Sequence, residues 1–599
     1  MKTASPSARS LPGLLKPATS SSIEVLESRI APSIFIVTSL ADSGAGTLRA
    51  ALALADSHPG PDTILFHLPA PPTHSENIIT LTGGPLTSLG NVTIKGPGAG
   101  KLIINGAGLY QGFNINDNVS ATDSPVTISG LSIVHGYSGS GGSGIYSTES
   151  LTLKNVTISG GTSTSSPAGA FAVDVHGDTT AGTKVSISNS LISGNTGAGG
   201  GGVGLYGLKS FALTNTAIIG NAVPDGGGGG MYASVNASGT GGTITGCLIS
   251  GNSAYFAAGL HLADNNPAKT SKITISGTKI TGNVSNAVGF DGAGIDGGGV
   301  LISSGNAVIA GSAIDNNTAA YYGGGIAVSG ITSLTISKSS ITGNKATMSN
   351  SSSPEPGGGG LFIMGNGSAT LVPVTITGSN ISDNSSINGG GILAEDGVSL
   401  SIAGSKIAGN AASGIVTTGN GLDKVNLSIT ASTLSGNTAG AGGAIYSGDG
   451  NLTGAGGVFT MTNSKVTGNV AAGDGGGGLF LNGKSSVIIK NSTFSNNSAD
   501  YGGGLHIGFT TTFELIGGKI TGNSVQSVGG GISVLSSTGS ILGVTISGNV
   551  ALAEAGGVYS DNNTAGAVTL QIAKVFANSA PIGPDVDDNP GDLSTFTFV

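Results

Sequence analysis

The chain has 599 residues, of which 109 are glycine, and its charged residues make up only 9% of the sequence. The formal charge of −9 gives no overall basic footprint for nucleic acid or an anionic membrane, so we expect no nucleic-acid partner. The single cysteine, Cys247, excludes an internal disulfide framework and a cysteine-based zinc site, and we expect it to be a small core residue. The sequence has no apolar run of about 18 residues, the length that predicts a membrane-spanning helix.

The first 70 residues differ from the rest of the chain. Residues 1–33 carry positive charge without an apolar signal-peptide core, which predicts a disordered or export-related leader. Residues 34–70 contain the stretch GTLRAALALADSH, which predicts a short helix capped by Thr47 or Ser43 and ended by Pro59 and Gly60. Because the open end of a repeat structure exposes backbone and core, we expect residues 34–70 to form an N-terminal cap.

Residues 71–578 repeat a phrase of the form ISGN, followed by a glycine run and alternating apolar residues. The intervals between the closing asparagines range from 26 to 40 residues, which indicates a fixed unit of 26 residues with loops of variable length. Residues 579–599 are predicted to be a C-terminal tail or cap. The asparagines of the repeat are Asn195, Asn221, Asn252, Asn283, Asn317, Asn344, Asn384, Asn410, Asn437, Asn469, Asn497, Asn523 and Asn549, with Asn578 as a degenerate last copy.

Within one repeat the apolar residues alternate with polar ones. Leu334 and Ile336 share one face of a short segment, and Ile326 and Val328 share one face of another, which predicts half-buried strands bounded by Gly and Asn. Three such strands fill about 26 residues, the length of one coil of a parallel β-helix whose coils stack at about 4.8 Å. The sequence therefore predicts an all-β parallel β-helix of about 16 coils.

The repeated phrase has a structural explanation. We expect the asparagines to tolerate a left-handed turn and to pass side-chain amide hydrogen bonds from coil to coil. We expect the glycines to allow turns where a Cβ atom would clash. Calcium-binding nonapeptide repeats, leucine-rich repeats and propeller blades fit less well, because the Asp offsets, the leucine ladder and the tryptophans that they use are missing.

The N-terminal part carries a family resemblance. The stretches VTSLADSGAGTLRAAL and IITLTGGPLTSLGNVTIKGPGAGKLIINGAG resemble the start of large bacterial surface and secreted proteins of the pectin-lyase-like superfamily. VLESRIAPS is similar to an N-terminal LEPR or LESRIAP motif of planctomycete-like and verrucomicrobial bacteria, and GGAI and FSNN are similar to repeats of chlamydial polymorphic outer-membrane proteins. The resemblance implies a right-handed β-helix that is secreted or placed on the cell surface.

Two features depart from these relatives. The chlamydial proteins end in a membrane β-barrel, whereas this sequence has no segment of the ten-residue alternating strands that such a barrel needs. The polysaccharide-cleaving members of the superfamily generally use arginine as a base or a substrate clamp. Here the only arginines are Arg9, Arg29 and Arg49, before the repeats begin.

Few residues are candidates for chemistry. Asp174, His176 and Asp178 form the densest polar cluster of the early coils, and alternation would bring them to one side of a strand, with Lys184 in a neighbouring segment. The alternative is a solvated edge or loop. Asp585, Asp587 and Asp588 could collect calcium through oxygen ligands, and the alternative is a plain acidic tail.

One column of outward residues is better organised. The residue after the apolar position of each glycine run is expected to point outward and to form an exposed stripe able to hold a glycan or a protein partner. The alternative is a ladder that stabilises neighbouring coils or lies under loops. The aromatic and histidine residues assigned to this column are Tyr146, Tyr206, Tyr232, His261, Phe362, Tyr446, Phe480, His506 and Tyr559.

Two classes of function remain open. The first is an extracellular or cell-surface β-helix that acts as an adhesin-like or structural binding module, with a glycan or a surface protein as its partner. The second is a polysaccharide lyase or hydrolase of the same fold. The lack of arginine in the coils favours binding, because a negatively charged protein without arginine would repel an acidic polysaccharide.

Overall fold

The computed structural model describes residues 32–69, 76–120, 122–164, 171–177, 182–286, 296–347, 357–366, 370–419, 424–449, 456–510, 512–561, 567–571, 573–588 and 595–598. In these residues the backbone forms short parallel strands and one α-helix. The predicted leader lies almost entirely outside the described residues. None of the helices among them is both long and apolar enough to cross a membrane.

Each coil contains up to four short strands, and each of these belongs to a different sheet. We number the four sheets in the order in which the chain passes through them within one coil. One coil runs from Ile326–Val328 in sheet 1 through Ile331–Ser337 in sheet 2 and Ser340–Thr342 in sheet 3 to Lys345–Ala346 in sheet 4. Each strand pairs in parallel with the strand of the next coil, so Ile336 lies between Ile309 and Ile376. The fourth strand, only two residues long in most coils, was not predicted.

The four sheets run along the helix axis. Sheet 1 consists of Leu86–Ser88, Phe113–Ile115, Ile145–Ser147, Val173–His176, Val203–Leu208, Met231–Val235, Leu260–Asp264, Val300–Ile302, Ile326–Val328, Leu361–Met364, Ile392–Glu395, Ile415–Gly419, Ile445–Asp449, Leu479–Asn482, Leu505–Gly508, Ile532–Leu535, Val558–Asp561 and Val586–Asp588. Sheet 2 consists of Ile34–Val37, Asp62–Phe66, Val92–Lys95, Val126–Ser129, Leu151–Lys154, Lys184–Ser188, Ser210–Thr214, Gly241–Thr245, Lys272–Ser276, Gly305–Ala310, Ile331–Ser337, Val372–Thr377, Val398–Ala403, Asn426–Thr430, Val458–Thr462, Ser486–Lys490, Phe513–Ile516, Gly539–Leu542, Ala567–Gln571 and Thr595–Phe598. Sheet 3 consists of Asn77–Thr80, Leu102–Asn105, Ser132–Val134, Thr157–Ser159, Leu191–Ser193, Ala217–Ile219, Leu248–Ser250, Lys279–Thr281, Ala313–Asp315, Ser340–Thr342, Asn380–Ser382, Lys406–Ala408, Thr433–Ser435, Lys465–Thr467, Thr493–Ser495, Lys519–Thr521, Thr545–Ser547 and Lys574–Phe576. Sheet 4 consists of Tyr137–Ser138, Thr162–Ser163, Thr196–Gly197, Ala222–Gly227, Ser253–Phe256, Val284–Ser285, Thr318–Ala319, Lys345–Ala346, Thr438–Ala439, Val470–Ala471, Ser498–Ala499, Ser524–Val525 and Val550–Ala551.

The number of coils is slightly larger than predicted. Sheets 1 and 3 each hold 18 described strands, which gives about 18 coils where the sequence predicted about 16. The difference arises at the N-terminus, where four coils precede the first asparagine of the repeat, Asn195; their sheet 3 strands are Asn77–Thr80, Leu102–Asn105, Ser132–Val134 and Thr157–Ser159. The predicted all-β solenoid itself is confirmed.

The inward residues of sheets 1 to 3 fill one continuous core. Ile326, Val328, Leu334, Ile336 and Ile341, which the alternation assigned to the interior, are each at most 1% exposed. Because neighbouring coils are in register, each inward residue packs on an equivalent apolar residue above and below it. These stacks explain why the repeat conserves residue type at positions two apart.

The asparagines of the repeat form a buried ladder at the turn between sheets 3 and 4. The Nδ2 group of Asn523 donates to Asn549 Oδ1 at 2.9 Å and to the carbonyl of Phe494 at 3.1 Å. Its own Oδ1 accepts from the backbone N–H and the Nδ2 group of Asn497. The carboxamide therefore uses all of its main hydrogen-bonding capacity, and Asn523 is fully buried.

The predicted backbone role of these asparagines is wrong. The left-handed conformation belongs to the residue before each of them, for example Gly343 (φ 65°) before Asn344 and Gly522 (φ 65°) before Asn523. The reason is that glycine takes this conformation without a Cβ clash. The side chain of the asparagine is selected for its hydrogen bonds alone.

A second ladder, made of hydroxyl groups, lies at the turn between sheets 2 and 3. Ser339 N–H donates to Ser379 Oγ, and Ser379 N–H donates to Ser405 Oγ, each at 3.2 Å. The ladder residue stands five positions before the asparagines from Asn195 to Asn497, and Cys247, buried as expected, occupies this position in its coil. This spacing was visible in the sequence but was not used. The members are Ser190, Thr216, Thr278, Ser312, Ser339, Ser379, Ser405, Ser432, Ser464 and Ser492.

The glycine runs allow close approach of neighbouring coils. Gly323 has φ 62°, and a Cβ atom added at Gly325 would lie 2.6 Å from the carbonyl oxygen of Gly360 in the next coil and 3.0 Å from the Asn344 carboxamide. One glycine of the run therefore supplies a left-handed turn, whereas its neighbours leave room for backbone and for the asparagine ladder.

The predicted helix is present as Leu48–Ser57, and the Thr47 side chain caps it by accepting from Ala50 N–H. Leu48 and Leu52 are buried in the common core. Arg49 binds Asp42 and the carbonyls of Gly84 and Pro85, which fastens the helix to the first coils. The boundaries 34–70, 71–578 and 579–599 as separate units remain predictions.

Candidate functional site

The polar and aromatic residues of the early coils meet on the outer face of sheet 1. Strand pairing brings Tyr146, Asp174, Tyr232 and His261 into one column, with Gly204 between Asp174 and Tyr232. Tyr206, which was assigned to this column, stands two residues further along its strand and pairs with His176. The column assignment of Tyr206 is therefore wrong, although its ring still joins the same cluster.

Gly204 makes room for that cluster. A Cβ atom at Gly204 would lie 2.1 Å from the ring of Phe171, which covers this position. Phe171 in turn contacts Tyr206, with ring centroids 6.0 Å apart. Phe171 was not singled out from the sequence, since it does not stand at the repeated position.

Four rings form a continuous row across neighbouring coils. The centroid distances are 5.7 Å for Tyr146–His176, 4.6 Å for His176–Tyr206 and 4.8 Å for Tyr206–Tyr232. We call these four residues the ring row. Each of them is partly exposed. None of the described hydrogen bonds involves the hydroxyl groups of its three tyrosines.

Asp174 lies beneath the ring row as a fully buried carboxyl group. His176 Nε2 is 3.1 Å from Asp174 Oδ1. Burial raises the pKa of Asp174, against the opposing effect of His176, and burial together with the Asp174 charge raises the pKa of Tyr146 and Tyr206. A carboxyl group in this position can orient the imidazole ring.

A polar cavity of about 280 Å³ adjoins the ring row. His176 lines it together with Asp117, Glu149, Asn116 and Thr148. Burial raises the pKa of Glu149, whose carboxylate accepts the backbone N–H groups of Asp117 and Ser124. Two acidic groups facing one cavity make it unfavourable for a negatively charged ligand.

The other members of the predicted catalytic cluster do not join this site in the described structure. Lys184 is exposed at the start of a strand of sheet 2, and its backbone N–H donates to Ser150 Oγ. Asp178 lies outside the described residues. The described cluster therefore consists of Asp174 and the ring row, which includes His176.

The middle of the outward column is buried, so the expected exposed stripe is interrupted. Phe362 is 1% exposed and stacks on Tyr322, with ring centroids 4.4 Å apart. Leu301 and Leu393 belong to the same second apolar cluster, which loop residues such as Tyr321 cover. Loops between sheets 4 and 1 fold back over this part, which could not be predicted from the strand pattern.

The far end of the column holds a second stack of rings. Tyr446, Phe480 and His506 stack with centroid distances of 5.2 and 4.7 Å, and Tyr501 contacts His506 edge-on at 4.9 Å. His506 is only 3% exposed, and burial lowers its pKa to about 4, so its ring is neutral at pH 7. Burial also lowers the pKa of His261 to about 4. Tyr559 continues this end of the column and is partly exposed.

The acidic residues near the C-terminus end the asparagine ladder. Asp585 Oδ1 accepts the Nδ2 group of Asn578 at 2.9 Å and its backbone N–H at 3.2 Å, and so replaces the next asparagine. Asp587 pairs with Tyr559 in sheet 1, and the side chain of Asp588 lies outside the described residues. Among the described residues, no three His, Cys, Asp or Glu side chains are grouped as a metal ion would require.

The comparisons with known proteins agree with this architecture. The family model for a right-handed β-helix region matches residues 359–551. This chain is a right-handed parallel β-helix protein. A comparison with curated protein sequences gives no match.

Two solved structures are similar to this chain over nearly its whole length. The mannuronan C-5 epimerase AlgE6 A-module of Azotobacter vinelandii has 12% identity and a TM-score of 0.25, with 94% of this chain and 97% of that chain covered. The PL6 family alginate lyase AlyGC has 10% identity and a TM-score of 0.27, with 94% and 99% covered. At these low identities and TM-scores, neither structure assigns an activity to this chain.

Proposed function

We propose that this β-helix protein is a glycan-binding module that acts at the cell surface or outside the cell, and that its site is the ring row with the adjoining cavity. The observation that carries the proposal is the continuous row of Tyr146, His176, Tyr206 and Tyr232, partly exposed beside a polar cavity. Tyrosine combines an apolar ring with a hydroxyl group, which suits the mixed apolar and polar surface of a sugar.

The charges of the site favour a neutral glycan. Asp117 and Glu149 line the cavity, and Asp174 lies behind the rings. These carboxyl groups would repel a uronate or a sulfated sugar, because the described residues that line the cavity supply no lysine or arginine to pair with it. A neutral sugar can instead donate its hydroxyl protons to the carboxylates and accept from the tyrosine hydroxyl groups.

The second candidate function is cleavage of a polysaccharide, and the Asp174–His176 pair favours it. A buried carboxyl group that holds a partly exposed imidazole is an arrangement that can serve acid–base chemistry. The tyrosine hydroxyl groups of the ring row would then lie within reach of the same bound sugar. Release of unsaturated or shortened oligosaccharides by the purified protein would identify this function.

The test of the proposal separates ring hydroxyl groups from fold. The full chain is applied to an array of neutral and acidic glycans, and the best ligand is titrated against the double variant Tyr206→Phe/Tyr232→Phe. Loss of two hydrogen bonds of about 0.5–1.5 kcal/mol each predicts affinity lower by roughly tenfold. The matched control is Tyr446→Phe, on the same sheet but far from the cavity, and it is expected to bind as the parent does.

Two results would contradict the proposal. One is that no glycan on the array binds the protein, even at the highest protein concentration applied. The other is an equal loss of affinity in Tyr446→Phe and in the double variant, since the ring row would then have no specific part. Product release that disappears in Asp174→Asn while binding persists would replace the binding module with the enzyme.

A further inference from the structure

A regular column of lysines lies on the opposite part of the coil from the ring row, at the corner between sheets 2 and 3. The first residue of each sheet 3 strand points outward here and pairs with the first residue of the next strand. From the eighth strand onward the column reads Lys279, Ala313, Ser340, Asn380, Lys406, Thr433, Lys465, Thr493, Lys519, Thr545 and Lys574.

The lysines recur at every second coil. Only the coil of Ser340 breaks the series within the column, and there Lys338 supplies the charge from the adjacent turn. With coils stacked at about 4.8 Å, the charges are about 9.6 Å apart along the axis. We call Lys338 and the five lysines of the column the corner lysines.

The corner lysines are exposed and mostly without opposite charges. Each of the six is exposed. Among the described residues, the one ion pair that involves a corner lysine joins Lys279 and Asp315, at 3.9 Å. In the described strands of sheets 2 and 3 from residue 272 to 576, the acidic residues are Asp315 and Glu514. A protein with net charge −9 therefore presents a locally basic edge along about ten coils.

The corner is also concave. A groove of about 570 Å³ runs across the turns at Gly311, Lys338, Gly378, Gly404 and Ala431. Its lining includes the hydroxyl ladder and the outward side chains at the start of the sheet 3 strands. These turn residues are all left-handed, and Lys338 adopts φ 48° where three of the other four coils have glycine.

A lysine in the left-handed region is an unfavourable choice for stability alone. At Gly311 and Gly404 an added Cβ atom would meet nothing within 4 Å, so the groove has room for side chains that the sequence does not use. The lysine at position 338 restores the two-coil spacing of charge at the one coil where the column lacks it.

We propose that a linear acidic polysaccharide lies along this corner, parallel to the helix axis, with an acidic group opposite each corner lysine. The two-coil spacing corresponds to the length of one disaccharide in an extended chain, so the best match is a polymer with one carboxylate per disaccharide. Hydroxyl side chains such as Thr433 and Thr493 alternate with the lysines and can bind sugar hydroxyl groups.

A polysaccharide fits this surface better than a nucleic acid does. Single-stranded nucleic acids are held by aromatic side chains on which bases stack, in addition to basic residues. In the described strands of sheets 2 and 3 from residue 272 to 576, the one exposed aromatic side chain is Phe576, in the last coil of the column. The site is separate from the ring row, so the two proposals stand or fall independently.

The experiment titrates the full-length protein with hyaluronan fragments, which carry one carboxylate per disaccharide, at low and at physiological salt. The test variant is Lys406→Gln/Lys465→Gln/Lys519→Gln, and the charge-matched control is Lys272→Gln/Lys345→Gln/Lys424→Gln, at exposed positions outside the corner. Three exposed ion pairs at about 0.5 kcal/mol each predict affinity lower by roughly tenfold in the test variant. The control is expected to change affinity by less than about twofold, and added salt is expected to weaken binding of the parent.

Unchanged circular dichroism and melting temperature will show that both variants are folded. No binding of hyaluronan by the parent, or equal weakening by both triple variants, would overturn the proposal. Binding of single-stranded poly(dT) at least as tight as that of hyaluronan, lost in the same test variant, would replace it with a nucleic-acid surface. Any binding of neutral dextran is expected to be the same in the parent and in the test variant, because the corner lysines take no part in it.

The spacing has its own test. The double exchange Thr433→Lys/Lys465→Thr keeps the number of lysines but puts two of them on adjacent coils. We expect hyaluronan affinity to fall several-fold, whereas polygalacturonate, with a carboxylate on every residue, should be affected less. Equal hyaluronan affinity of the parent and the exchange variant would show that charge alone, without its period, attracts the polymer.

Discussion

The asparagine ladder allows a stability prediction that can be worked from individual hydrogen bonds. Replacing Asn523 by alanine removes its two Nδ2 bonds, to Asn549 and Phe494, and the two bonds that its Oδ1 accepts from Asn497. The Asn497 backbone N–H and the Phe494 carbonyl then lose these partners in a site closed to solvent. At about 1–3 kcal/mol for each unsatisfied buried group, we expect Asn523→Ala to lower the free energy of unfolding by about 3 kcal/mol or more.

The measurement is guanidinium unfolding followed by far-ultraviolet circular dichroism, with Asn380→Ala as the control. Asn380 is an outward residue of sheet 3, and its described hydrogen bond is a local one, from Nδ2 to Ser382 Oγ. We expect the control to cost less than about 1 kcal/mol. Because solenoid stability depends on contacts between neighbouring coils, hydrogen exchange should report the largest loss of protection in the coils of Asn497, Asn523 and Asn549.

Coupling between neighbours makes the prediction sharper. Asn497 and Asn523 share two hydrogen bonds, so the double variant should cost less than the sum of the single ones, by about 1–3 kcal/mol. An unfolding midpoint of Asn523→Ala equal to that of Asn380→Ala would refute the reasoning. Additive costs of the two single variants would show that the shared bonds contribute nothing.

Three further predictions concern other parts of the fold. Gly204→Ala should destabilise the protein by about 1–3 kcal/mol and change the fluorescence of the nearby tyrosines, because the new Cβ atom would overlap the Phe171 ring. Thermal unfolding measures the loss of stability. An unchanged melting temperature would show that the ring moves freely. Phe362→Ala should cost about 3–4 kcal/mol in denaturant unfolding, although its position faces outward, because loops bury it; a cost below about 1 kcal/mol would show an exposed ring. Burial raises the pKa of Asp296 to about 6, above its usual 3.8, so its protonated form is favoured in the folded state, and the stabilisation present below about pH 4 should be lost as the pH rises through 6. Across that range the parent should lose about 3 kcal/mol relative to Asp296→Asn, and parallel pH profiles of the two proteins would contradict this.

The sequence alone determined the architecture, because a repeated coil requires the same local solution many times. Alternation at Leu334 and Ile336 indicated inward strands, the asparagine interval gave the coil length, and GTLRAALALADSH indicated the one helix. These signals are local or strictly periodic, so they survive without knowledge of the tertiary structure. The hydroxyl ladder, five residues before most asparagines from Asn195 to Asn497, is also periodic and can be read from the sequence.

Only the tertiary structure decided which outward residues are available to a ligand. The sequence could not show that loops cover Phe362 and Leu393 while the ring row stays partly open, because loop paths have no period. The sequence does place Gly204, and not Tyr206, directly after Val203, but it could not show that the Phe171 ring covers Gly204 or that the Tyr206 ring stacks on His176, because contacts between coils set both. The corner lysines show the same division: the position of the five column lysines four residues before a repeat asparagine is printed in the sequence, but the exposed corner along which they align and the groove beside it appear only when the strands are put in register.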